Sequence, residues 1–198
     1  MANQRHEFVA HYRPEDGAIQ DVWSHLYNVG QRTAGIADKI GLGPVGELLG
    51  LVHDLGKASG AFDDYIREVV GLPLRSDSNP IDVKGRVDHS TAGGAWVQSL
   101  ISQGSEAKIS EQLIPLLVVS HHSGLIDCLT VDGKNGFERR LDKNESQIRM
   151  NESLSNAPLD YIERVSRLVQ EGDIESSLSE SIRSLREPGD NLHEMAFK

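Results

Sequence analysis

The chain has 198 residues, with 30 acidic against 20 basic side chains and a formal net charge of −10. Its length predicts one domain with a buried core. The excess of acidic residues argues against a protein surface that binds nucleic acid by its own positive charge alone. The single cysteine excludes an internal disulfide. Because the sequence has neither an apolar run of about 18 residues nor the apolar stretch of a signal peptide, we expect a cytoplasmic protein without membrane contact.

Apolar residues recur at helical spacing through most of the chain, which predicts helices rather than strands. The predicted helices cover residues 21–40, 44–55, 61–70, 88–102 and 110–122, followed by three charge-rich helices at 137–150, 159–170 and 174–185. Small residues at 92–95 predict close packing of the fourth helix, and turn formers at 72–87 predict a long loop. The sequence therefore predicts an all-α fold in a single domain that spans residues 1–198.

Five of the eight histidines lie in or at the ends of the predicted core helices. These five are His25, His53, His89, His121 and His122. Asp54 follows His53 directly, and Lys57 lies on the same face if that helix continues. Imidazole and carboxylate groups are the ligands that hold catalytic divalent metals. A single histidine at a helix end is more often a cap than a metal ligand. Here four segments with histidine occur one after another at helix ends, so chance is a poor explanation for the pattern.

Charged and polar residues lie close to these histidines. Asp88 and Ser90 flank His89, and they either orient its imidazole or cap the following helix. A small basic cluster after Gly136 is typical of a solvated helix face, with a contact to a DNA backbone as the alternative. It consists of Arg139, Arg140 and Lys143.

The remaining histidines and the larger aromatic residues receive no chemical role from the sequence. The histidines without a role are His6, His11 and His193. The aromatic residues predicted to pack in or near the core, rather than to stack on bases, are Trp23, Phe62, Tyr65 and Trp96. Ser123 follows the double histidine but lies in no Gly-x-Ser-x-Gly elbow, which argues against a serine nucleophile.

Four ordered stretches carry a family resemblance. They are residues 10–26, with Ala10-His11, Asp16-Gly17 and His25-Leu26; Gly50-Leu-Val-His-Asp-Leu-Gly-Lys-Ala-Ser59 with Phe62 and Tyr65; Asp88-His-Ser-Thr-Ala-Gly-Gly-Ala95; and Ser120-His-His-Ser-Gly-Leu125. Over residues 8–126 the sequence resembles the HD superfamily of metal-dependent phosphohydrolases. More narrowly, it resembles the HD nuclease domain of the CRISPR-associated helicase–nuclease of type I systems.

The resemblance implies a helical HD bundle with a metal site where helix ends converge. It implies two divalent ions bridged by Asp54, which is a catalytic residue together with Lys57. The other ligands would be His25 and His53 for the first ion, and His89, His121 and His122 for the second. The ions would be drawn from Mn²⁺, Ni²⁺, Co²⁺, Fe²⁺ and Mg²⁺, and Lys57 would direct its positive charge toward the scissile phosphate.

The family has a further aspartate on an apolar helix after the double histidine, where it completes the first metal site. Asp160 and Asp173 are the nearest candidates, but both lie in charge-rich surroundings. Residues 127–190 are expected to form additional charged helices and a linker, and residues 191–198 read as the start of a helix that is cut off. The sequence therefore predicts that the chain ends before this aspartate.

The resemblance implies a nuclease that hydrolyses phosphodiester bonds of single-stranded DNA in CRISPR antiviral interference, with a metal-activated water as nucleophile and an endo- or exonucleolytic mode. Its partners would be a helicase module, in the same or a separate chain, and a CRISPR surveillance complex. Half of the charge imbalance lies in residues 151–198, so we expect DNA affinity to come from the metals and a partner. Two alternatives stay open: hydrolysis of a nucleotide or cyclic nucleotide, and a catalytically incomplete docking module.

Overall fold

The computed structural model describes residues 8–75, 87–102, 109–122, 124–171 and 173–186. These residues form one two-stranded sheet, β1 (Val9–Arg13) and β2 (Ala18–Asp21), and ten α-helices. The helices are α1 (Val22–Ala37), α2 (Gly43–Val52), α3 (Gly60–Val70), α4 (Thr91–Ile101), α5 (Ile109–Ser120), α6 (Gly136–Leu141), α7 (Glu145–Ile148), α8 (Met150–Ser155), α9 (Leu159–Gln170) and α10 (Asp173–Arg186). The dominance of helix confirms the predicted all-α bundle.

The β1–β2 hairpin is a feature that the sequence prediction missed. Its turn ends at Gly17, whose φ of 70° lies in the left-handed region that favours glycine. The ladder pairs Val9 with Asp21 and His11 with Gln20, so its register is irregular between Val9 and His11. An irregularity of this kind bends the strand and changes the direction of its backbone N–H and C=O groups. In this protein it lies next to α1.

The main core lies between α1, α2, α4, α5, α9 and α10. Leu26 of α1, Leu48 of α2 and Ile114 of α5 are fully buried in it. The charge-rich helices α9 and α10 also contribute, since Tyr161 and Val165 are fully buried. The aromatic residues pack as expected: Trp96 and Trp23 belong to this core, and Phe62 and Tyr65 to a smaller cluster beside α3.

The prediction of one continuous helix over residues 137–150 is wrong. The structure has α6 and α7 in its place, with α8 beginning at Met150. Asn144 starts α7 with a capping box that it shares with Gln147, and Arg149 ends α7 in a left-handed conformation at φ 53°. These local caps outcompete the helical period of the apolar residues, so the segment breaks into short helices.

Several sequence predictions fall outside the described residues. These are the helix start at 191–198, most of the 72–87 loop, and the side chains of His6, Ser123, Asp173 and His193. Within the part of the chain that the structure describes, no helix is long and apolar enough to cross a membrane.

Candidate metal centre

Four chain segments meet at the side chain of Asp54, which is only 3% exposed. His25 lies in the first turn of α1, whose N-terminus is capped by Asp21. His53 and Asp54 follow the end of α2, and His89 precedes α4. The double histidine, His121 and His122, follows the end of α5. The structure thus brings together all five histidines that the sequence selected.

The Oδ2 atom of Asp54 faces two imidazoles and one ammonium group. The Nε2 atoms of His25 and His53 each lie 3.2 Å from Oδ2, and Nζ of Lys57 lies 2.8 Å from it. Helix α2 does not continue to Lys57; a 3₁₀ turn over Leu55–Ala58 brings this side chain back to Asp54 instead. The expected proximity of Lys57 to the metal residues is therefore present, through a different backbone path.

The Oδ1 atom of Asp54 faces three imidazoles. The Nε2 atom of His121 lies 3.1 Å from Oδ1, and those of His89 and His122 each lie 3.6 Å from it. The Nε2 atoms of His89 and His122 are 2.6 Å apart. Asp54, His89, His121 and His122 together form a group whose donor atoms could hold one metal ion.

Backbone carbonyls fix which nitrogen of several imidazoles points at Asp54. The Nδ1 atom of His53 donates to the Gly50 carbonyl at 2.8 Å, and that of His121 donates to the Val118 carbonyl at 2.6 Å. His89 donates in the same way to Val87 at 3.1 Å. Since a carbonyl oxygen only accepts, the proton of each neutral ring lies on Nδ1, and Nε2 presents its lone pair to the site.

Glycines allow the segments to approach closely enough for this convergence. The Gly56 N–H donates to the His89 carbonyl at 3.1 Å, and a Cβ atom at Gly56 would meet that carbonyl oxygen at 2.6 Å. A Cβ atom at Gly93 would lie 1.9 Å from the Val52 carbonyl oxygen. The predicted close packing of the fourth helix is therefore present, and it sets the distance between His89 and Asp54.

The donor set fits divalent metal ions. Nitrogen lone pairs and carboxylate oxygens that converge within 3.1–3.6 Å repel one another unless a cation lies among them. Imidazole with carboxylate is a common ligand set for transition metals such as Mn²⁺, Fe²⁺ and Ni²⁺. The arrangement places metal-ligating groups on both sides of one carboxylate.

The pKa shifts agree with this environment. Burial opposes ionisation of Asp54, but hydrogen bonds that the rings of His121, His25 and His53 donate from Nε2 when they are protonated hold the pKa of its carboxyl well below the ordinary value. Burial lowers the pKa of His89 to about 4. Asp54 is therefore ionised and His89 is neutral at pH 7, which are the forms that ligate metal.

His11, to which the sequence gave no role, lies at the edge of the site. Its ring packs edge-on against His25 with centroids 4.6 Å apart, and its Nε2 atom lies 3.4 Å from Nζ of Lys57. His11, His25 and Asp54 form a second group of donor atoms that could hold a metal ion. Burial, followed by the charge of Lys57, lowers the pKa of His11 to about 4. The only sequence signal for His11 is its place in the family-like stretch before His25.

Of the two roles that the sequence left open for Asp88 and Ser90, orienting the His89 ring or capping the following helix, the contacts of Asp88 fit the cap. Asp88 accepts from the Thr91 N–H at 3.1 Å and so caps α4, and its Oδ2 lies 2.5 Å from Nζ of Lys143. Ser90 accepts from Arg140 at 3.0 Å. Burial would raise the pKa of Asp88, but hydrogen bonds from Lys143 and Thr91 lower it to about 2. Two members of the basic cluster thus hold the turn that carries His89.

The structure describes the side chain of one of the two candidates for the further aspartate, and it lies on the surface. Asp160 is exposed and accepts from the Tyr27 hydroxyl at 3.1 Å, and the side chain of Asp173 lies outside the described residues.

A groove of about 500 Å³ begins beside the site. His11, Gln20 and Asn28 are among the residues that line it.

Comparison with known proteins identifies one family. Residues 6–186 match the family model described as Cas3, HD domain, and a search of the curated proteins finds no match. The HD domain of Cas3 belongs to type I CRISPR systems, where it is a metal-dependent hydrolase that acts with the Cas3 helicase in CRISPR interference. Because the match spans most of the sequence, the chain belongs to the Cas3 HD domain family, as the ordered motifs predicted.

Proposed function

We propose that the chain is a nuclease that hydrolyses phosphodiester bonds of single-stranded DNA in CRISPR interference, at a dinuclear metal site. One observation carries the proposal: each carboxylate oxygen of Asp54 faces its own set of imidazole nitrogens. This division suits two divalent ions with Asp54 as their shared ligand.

The proposed ligands divide between the two oxygens of Asp54. They are His25, His53 and Asp54 for the first ion, and Asp54, His89, His121 and His122 for the second. When bound, two divalent ions activate water for attack on phosphorus and neutralise the phosphate oxygens. Because imidazole-rich sets favour transition metals, Mn²⁺, Fe²⁺, Co²⁺ and Ni²⁺ rank ahead of Mg²⁺ as the ions.

The protein's own part is to hold charge and lone pairs in fixed positions. The carbonyls of Gly50, Val87 and Val118 keep three imidazoles in the ligating tautomer. Lys57 brings a buried ammonium group to the same carboxylate. Its positive charge stabilises the negative charge that builds on the phosphate oxygens as the phosphorus is attacked.

The exposure of the site supports a polymeric substrate. The exposed fraction of the side chain rises from 4% for Asp54 to 22% for His121 and 37% for His122, so the site opens to solvent beside the double histidine. The groove beside His11 extends the surface on the other side. A hydrolase of free nucleotides is instead expected to enclose most of its small substrate in a pocket.

The negative charge of the chain supports a dependence on partners. With a formal net charge of −10, the surface as a whole repels phosphates. We infer that a helicase module delivers the strand and that a CRISPR surveillance complex selects the target. The local positive charge of bound metal and Lys57 then retains the scissile phosphate.

The test is cleavage of labelled DNA by the purified chain with Mn²⁺, Fe²⁺, Co²⁺, Ni²⁺ or Mg²⁺. We expect cleavage of single-stranded DNA that stops with a chelator and is absent in Asp54→Ala, while duplex DNA is cut more slowly. Circular single strands distinguish endonucleolytic from exonucleolytic action. Turnover of nucleotides or cyclic nucleotides without DNA cleavage would contradict the proposal, as would metal binding with no hydrolysis of any of these substrates.

A further inference from the structure

We propose that Lys57 is a built-in cation that sets how many metal ions the site holds. Its ammonium group competes for the Oδ2 side of Asp54, so the tightly bound ion lies on the Oδ1 side, with the double histidine, and the ion on the Oδ2 side binds weakly. The inference rests on the proposed function only in taking Asp54 and its imidazoles as metal ligands.

The ammonium group of Lys57 has a binding site of its own. Its Nζ atom lies 2.8 Å from Oδ2 of Asp54, 3.3 Å from the carbonyl oxygen of Ala10 and 3.4 Å from Nε2 of His11. Lys57 is only 5% exposed, so water contributes little to the solvation of this charge. Three acceptor groups of the protein take the place of that water, as they would around a metal ion.

The β1–β2 hairpin supplies two of these three acceptors. Ala10 and His11 both belong to β1, and the ladder loses its regular register between Val9 and His11. This irregularity leaves the Ala10 carbonyl free of the regular ladder pattern and directs it to Lys57. The hairpin therefore helps to hold the ammonium group of Lys57 beside Asp54.

The two oxygens of Asp54 consequently differ in charge environment. Three imidazoles contact Oδ1 at 3.1–3.6 Å, whereas the ammonium group of Lys57 makes its closest contact with Oδ2, at 2.8 Å. On the Oδ2 side, Lys57 already neutralises the one negative charge of the carboxylate. A divalent ion there either displaces Lys57, which breaks the buried ion pair with Asp54, or lies beside it, which costs like-charge repulsion.

The experiment is a calorimetric titration of the full chain with Mn²⁺ alone, with bound metal counted by mass spectrometry. We expect one tight ion in the wild type and a second that binds at least about tenfold more weakly. In Lys57→Met the weakly bound ion should gain at least about tenfold in affinity over the wild type. The affinity of the tightly bound ion should change less than about threefold. Lys57→Arg keeps the charge and should resemble the wild type.

A matched control is Lys134→Met, which removes an exposed lysine paired with Asp132 and should leave both affinities unchanged. Two further variants test the assignment without altering Lys57: His122→Ala should weaken the tight site, and His25→Ala should spare it. An unchanged second affinity in Lys57→Met, or the reverse pattern in the histidine variants, would overturn the inference. If Mn²⁺ binds as expected but DNA is not cleaved, the proposed function fails and this inference stands.

Discussion

The parts of the chain before and after residue 123 contribute to the metal centre in different ways. The donor region, residues 8–122, supplies each imidazole that the structure places beside Asp54. The support region, residues 124–186, supplies hydrogen bonds to the backbone and turns that carry those imidazoles. The donor region therefore supplies the chemistry of the site and part of its geometry, and the support region adds hydrogen bonds that hold the same segments from outside.

Tyr161 is the clearest example of support. Its hydroxyl donates to the Leu51 carbonyl at 2.8 Å, in the last turn of α2, where carbonyls lack helical partners. Glu152 accepts from the Gly60 N–H, and Asn156 donates to the Ala58 carbonyl. These contacts enclose the turn that carries Asp54 and Lys57, so the support region fixes the segment on which the donors depend.

The largest expected effect is loss of the carboxylate that the two sides of the site share. Asp54→Asn removes the negative charge while keeping the shape of the side chain, so we expect metal binding to fail on both sides and DNA cleavage to fall at least about 10³-fold. Bound metal after gel filtration and the cleavage rate check it. Asp132→Asn, an exposed carboxylate paired with Lys134, is the control. Full metal content in Asp54→Asn would show that the donor region does not depend on this residue.

A second large effect tests how closely the donor segments must approach. Gly93→Ala places a methyl group 1.9 Å from the Val52 carbonyl oxygen, and we expect it to cost about 3 kcal/mol or more in the free energy of unfolding. Urea denaturation measures this cost. In Gly35→Ala, where nothing lies within 4 Å of the new methyl group in α1, stability should rise by up to about 1 kcal/mol. Equal stabilities of the two variants would refute the close approach of α4 to α2.

The same division explains what the sequence could predict. His53 and Asp54 are adjacent, and the double histidine follows an apolar helix, so local pattern was enough to select five of the six histidines of the donor region. His11 was missed because its contacts to His25 and Lys57 depend on a short hairpin, and strands this short give little periodic signal. The turn at Asp16-Gly17 was the signal that could have located the hairpin.

In the support region, local pattern was less informative. The apolar spacing predicted one helix over 137–150, but side-chain caps at Asn144 and a left-handed Arg149 divide it. The contact of Arg140 with Ser90 joins residues 50 positions apart. Such a contact has no spacing rule in the sequence, because only the packed fold brings the two residues together.

A smaller effect is expected from removal of one hydroxyl group in the support region. Tyr161→Phe leaves the Leu51 carbonyl unpaired in the core, and we expect a loss of about 1–2 kcal/mol in the free energy of unfolding, measured in urea. Tyr27→Phe is the matched control, since the Tyr27 hydroxyl bonds to the exposed Asp160 and should cost less than about 0.5 kcal/mol. Equal losses in the two variants would mean that Tyr161 supports the helix end through packing alone.

The smallest effect separates support of the site from support of the fold. Lys143→Met removes the ion pair with Asp88, whose side chain also caps α4 directly after His89. Lys143 contacts no imidazole that the structure describes near Asp54, so its influence passes through the turn, and we expect metal affinity to fall by about three- to tenfold. The pair, whose Lys143 and Asp88 side chains are 30% and 14% exposed, should cost about 1 kcal/mol in unfolding free energy.

The informative result for Lys143→Met is how the loss of metal affinity compares with the loss of unfolding free energy. If Lys143 only stabilises the fold, the metal-free protein loses stability while its affinity for Mn²⁺ stays unchanged, because folded molecules still present His89 correctly. If Lys143 positions the turn, affinity falls even where the protein is fully folded, and Lys143→Arg restores it by renewing the bond to Asp88. Lys134→Met again serves as the lysine control. A fall in affinity that arginine rescues would mean that the support region sets the precision of the donor set as well as its stability.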